Sequence, residues 1–148
     1  MIKKFQDFIN EGKEPEIFSG YNGRYLFDID KAYSLINSGD IQSIRKTYPP
    51  YLLNQYSRED FSFVDPLKMQ RLKGEMDYSR PLGLLVKFKN PETPEDGGEW
   101  ILIDGNHRVR TAAEEGKPGD LIVVPNPSDV DQFMTVDTDI PHELFPDY

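Results

Sequence analysis

The chain has 148 residues, enough for one domain with short extensions, and its hydrophobic content of 37% with 12% aromatics supports a folded core. It contains no cysteine and only two histidines, His107 and His142, which excludes a disulfide scaffold, a thiolate metal site, a cysteine nucleophile and a histidine-rich metal centre. The net charge of −9 argues against non-specific DNA binding, where lysine and arginine must neutralise phosphates, and no apolar run approaches the roughly 20 residues that span a bilayer, so a soluble chain is expected.

In chain order, Ile2, Phe5, Phe8 and Ile9 share one face of an amphipathic helix, which Gly12 and Pro15 end. Tyr25–Ile29 reads as a strand, and Asp28 or Asp30 caps a helix that runs to about Asn37 and stops at Gly39. Ile41–Lys46 is expected to be a short helix broken by Pro49-Pro50. Phe61–Val64 alternates weakly, and Asp65-Pro66 opens a helix to about Met76. Leu82–Phe88 is a buried strand, residues 90–98 a loop, and Trp100–Ile103 the next strand. Val109, Ala112 and Ala113 give the core face of a helix ended by Gly116, and Leu121–Val124 is a third strand closed by Pro125 and Pro127. The last 21 residues read as an acidic extension. Charge is uneven along this order: residues 41–90 carry nine positive and five negative side chains, residues 91–148 three and fourteen.

The chemistry concentrates at Asp104-Gly105-Asn106-His107-Arg108. A buried strand passes through a glycine straight into a helix, and the helix dipole with its initial N–H groups favours an anion there. Gly105 admits a phosphate to the main chain, Asn106 caps the helix, and His107 and Arg108 add donors, the guanidinium with a fork suited to phosphate oxygens. A second reading stays open, in which the turn is a structural corner with Arg108 paired to Asp104 or Glu115.

From about Phe63 to Pro125 the chain resembles the ParB/sulfiredoxin superfamily. Asp65-Pro66-Leu67-Lys68-Met69-Gln70-Arg71-Leu72 is similar to the family's first helix, Arg80-Pro81-Leu82-Gly83-Leu84-Leu85-Val86 to its Pro-initiated strand, and Asp104–Arg108 to its Gly-x-His/Arg-Arg signature. The resemblance implies an α/β (α+β) fold, a small mixed sheet with flanking helices. It also implies a nucleotide or other phosphate ligand on Gly105, Asn106, His107 and Arg108, with Lys68 and Arg71 from the neighbouring helix. Asp104 and His107 become the acid/base candidates of a nucleotide hydrolase or phosphotransferase, with Mg²⁺ as an accompanying ion and no metal site built by the protein alone. Two departures limit the transfer. Asn106 stands where sulfiredoxins carry their catalytic cysteine, and no length remains for the helix-turn-helix domain of partition proteins.

Met1–Glu11 resembles the capsid-targeting peptide of internal head proteins from T-even-like bacteriophages, with Ile9-Asn10-Glu11 matching the prohead cleavage pattern and the cut falling between Glu11 and Gly12. An ordinary first helix is the other reading of these residues. The expected organisation is therefore a cleavable peptide 1–11, a linker 12–24, a ParB/sulfiredoxin-like domain 25–127 and an acidic extension 128–148. The expected protein is phage-encoded, found in the virion interior and then the host cytoplasm, or simply cytoplasmic without the peptide, and acts on a host target without a membrane partner. A non-enzymatic acidic interaction protein, inhibiting host defence or mimicking DNA charge, is the alternative, and a metal-dependent ParB-like nuclease ranks below it.

Overall fold

The computed structural model describes residues 17–20, 23–57, 66–93, 95 and 97–137, with the side chains of 66, 68 and 69 apart. Its elements are β1 (Ile17–Gly20), β2 (Tyr25–Asp28), α1 (Ile29–Ser38), β3 (Ile44–Tyr48), α2 (Pro50–Tyr56), α3 (Pro66–Leu72), β4 (Gly83–Phe88), β5 (Glu99–Asp104), α4 (Asn106–Glu114), β6 (Gly119–Val124), α5 (Pro127–Val130), a 3₁₀ turn (Asp131–Phe133) and β7 (Met134–Val136). The fold is α+β, as expected, but with two small sheets where one was anticipated. Two compact units divide the chain, Met1–Asp40 with Asp131–Tyr148, and Ile41–Val130. Among the described residues no helix is long and apolar enough to cross a membrane. The amphipathic N-terminal helix, the cleavage pair Glu11 and Gly12, and the Phe61–Val64 segment lie outside the described residues.

In the first unit β2 is the central strand of an antiparallel sheet, flanked by β1 and β7. Its alternation buries Tyr25 and Phe27 on one side, and Phe18 of β1 sets its ring against Phe27 with centroids 6.0 Å apart. Helix α1 follows without a loop because Asp28 caps it, accepting a hydrogen bond from the Lys31 N–H at 3.0 Å. Gly39 then ends it in a left-handed turn, bonding back to Ile36 while Asp40 bonds to Leu35.

The second unit is built on a mixed sheet in the order β3-β6-β4-β5, parallel between β4 and β6 and antiparallel elsewhere. Strand β4 lies inside this sheet and is buried along almost its whole length, which explains its unbroken apolar run. Leu85, Leu102, Leu121 and Val123 pack with Leu53 of α2 and with Val109 and Ala112 of α4. Each fully buried Leu or Val contributes about 1.5–3 kcal/mol relative to exposure. Helix α5 packs on β4 and buries Val130.

Several expectations are corrected. Ile41–Lys46 is not helical: Ile44–Tyr48 forms the edge strand β3, held by its ladder to β6. Pro50 opens helix α2 rather than only breaking a helix, since the first turn needs no N–H there. Helix α3 stops at Leu72, four residues before the expected end. The segment read as linker contains β1, and the residues read as an extension from 128 supply most of α5, the 3₁₀ turn and β7.

Candidate functional site

The Asp104–Arg108 corner joins β5 to α4 in the second unit. Leu84 pairs with Asp104 and Leu85 with Leu102, so Ile103 is an extra residue in β5, a bulge that bends the strand just before the turn. Gly105 then adopts a left-handed conformation, φ 86°, and serves as N-cap. A Cβ on Gly105 would stand 2.1 Å from the Leu82 carbonyl oxygen, and one on Gly83 would stand 2.2 Å from the Asp104 carbonyl oxygen. The two glycines let the start of β4 and the end of β5 cross backbone against backbone. Gly105 therefore has a packing role whatever binds at the turn.

Asn106 is not the cap. It is the first residue of α4, and its amide nitrogen is buried. His107 is partly buried, and its carbonyl oxygen accepts a hydrogen bond from the buried Thr111 hydroxyl at 2.8 Å. The Arg108 side chain remains 47% exposed, with Nη2 3.9 Å from Oδ2 of Asp104, whose side chain is 17% exposed. An ion pair this long and this wet contributes at most about 1 kcal/mol. The first turn of α4 holds no acidic residue, so the positive end of the helix dipole and the Arg108 guanidinium act in the same sense.

No protein family, characterised protein or solved structure matches the chain.

The turn thus gathers Asp104, Gly105, Asn106, His107 and Arg108 by sequence adjacency. Helix α3, which carries Lys68 and Arg71, packs against α4. Arg71 is exposed in the last turn of α3, and the Lys68 side chain lies outside the described set. Among the described residues no group of three or more His, Asp or Glu side chains is arranged to hold a metal ion.

Two polar groups near this helix escaped the sequence reading. Arg110, 13% exposed, reaches back from α4 to donate to the Ser57 carbonyl oxygen at the end of α2 (3.3 Å), and sits 3.7 Å from Glu114. The i,i+4 spacing of Arg110 and Glu114 was legible, but the tie to Ser57 was not. Tyr78 donates its hydroxyl to Glu115, and the Lys117 ammonium lies 5.2 Å from the Tyr78 ring centroid. Burial, then the hydrogen bond to Glu115, pushes the Tyr78 phenol well above its ordinary pKa.

Proposed function

We propose that the unit Ile41–Val130 is a ParB/sulfiredoxin-like module that binds a phosphate of a nucleotide, or of a related small ligand, at the opening of α4. The reading rests on one observation: this helix begins at a left-handed glycine that offers no side-chain cap, beside a half-exposed arginine. A phosphate there meets the helix dipole and the forked donors of Arg108. Asn106 and His107 flank it, and Lys68 and Arg71, which the sequence reading adds to the site, belong to the helix α3 that packs against α4. In this reading the activity is nucleotide hydrolysis or phosphoryl transfer, with Asp104 and His107 as acid and base. A Mg²⁺ ion fits as one brought by the ligand's phosphates, since among the described residues no group of three or more His, Asp or Glu side chains is arranged to hold it, and Asp104 faces Arg108. The N-terminal peptide adds the second half of the proposal, packaging in a phage head and delivery to a host cytoplasm. Mass spectrometry of purified particles tests it, with mature protein starting at Gly12 as the expected result.

The binding test is a thermal-shift screen against nucleoside mono-, di- and triphosphates and pyrophosphate, followed by calorimetric titration of wild type, Arg108→Ala and Arg108→Lys. Loss of the guanidinium contact is expected to cost about 1.5–3 kcal/mol, roughly ten- to hundredfold in affinity, and lysine to restore only part of it. Equal affinity in all three variants overturns the assignment of Arg108. Binding by none of the phosphates overturns the site and leaves the acidic interaction protein as the reading to pursue.

A further inference from the structure

No further inference is drawn: the strongest candidate, the outer edge of strand β3, unpaired among the described residues and bearing exposed Ile44 and the basic pair Arg45 and Lys46, carries nothing, because Arg45 is already held by Asp120 and Ser79, a lysine on an edge strand serves to keep that edge unpaired, and nothing in the structure shows what covers it.

Discussion

Gly105 and Gly116 both sit at positive φ, yet they differ in what surrounds them. A Cβ at Gly116 meets nothing within 4 Å, whereas one at Gly105 collides with the backbone of Leu82 and Gly83, which cannot rotate aside as a side chain would. Gly116→Ala should therefore lose only the left-handed penalty, about 1–2 kcal/mol. Gly105→Ala should lose that and a further 1–3 kcal/mol or so from overpacking. Urea unfolding of both variants checks this, and equal losses would mean that the crossing of β4 and β5 yields easily. Asp120 offers a second residue-level test. The Thr47 hydroxyl, at 2.5 Å, and then Arg45 Nε, at 2.6 Å, hold its carboxyl below the usual 3.8. A depressed folded-state pKa stabilises the fold above the ordinary carboxylate value and ceases to do so as pH falls through the lowered one. Asp120→Asn should thus be less stable than wild type at pH 7, with the gap closing as pH falls below about 4. A gap that persists into strong acid would show that the charge is not what matters.

At the scale of elements, the helix ends obey local chemistry. Asp28 caps α1, so Asp28→Ala should cost about 1 kcal/mol while Asp28→Asn, an equally good cap, stays close to wild type. Equal destabilisation by both in thermal melts would locate the role of Asp28 in its charge instead. Both α1 and α4 stop at glycines that take the same left-handed turn, with the following residue bonded back five positions, Asp40 to Leu35 and Lys117 to Ala112. Strand β3 follows another logic. Four of its five residues are exposed, so little of its stability comes from burial. It is held by the ladder to β6 and by the Arg45–Asp120–Thr47 network across that ladder, with Arg45 also bonded to the Ser79 carbonyl oxygen at 2.7 Å.

Across the whole molecule, the residues after 127 belong to the fold as far as it is described. Val130 and Phe133 are buried, β7 pairs with β2, and the Asp137 N–H bonds to the Arg24 carbonyl oxygen at 2.7 Å. Arg24, only 8% exposed, also donates to the Asp137 carbonyl oxygen at 3.4 Å. Truncation after Pro127 should therefore cost the burial of two apolar side chains, about 3 kcal/mol or more, and one edge of the β2 ladder. Truncation after Asp137 keeps both. Melting temperatures of the two truncated chains should separate clearly, and coincident values would contradict an integral role for β7.

The sequence alone determined what is decided within about five residues. Asp28 as one of two caps offered for α1, the stops at Gly39 and Gly116, the break between β4 and β5 and the strand-to-helix turn at Asp104–Arg108 were legible, because capping and turn formation act on neighbouring backbone. The continuous apolar run of β4 was legible too, since a strand covered on both faces needs no polar alternation. Even the Arg108–Asp104 contact was one of two pairings that the sequence left open. Tertiary structure decided the rest. Ile44–Tyr48 became a strand rather than a helix because Gly119–Val123 offered a ladder, and Met134–Val136 became one because β2 did. Gly105 owes part of its presence to Leu82 and Gly83, and Arg110 reaches Ser57. Each of these depends on a partner distant along the chain, and strand pairing in particular has no local signal strong enough to override a short segment's ambiguous pattern.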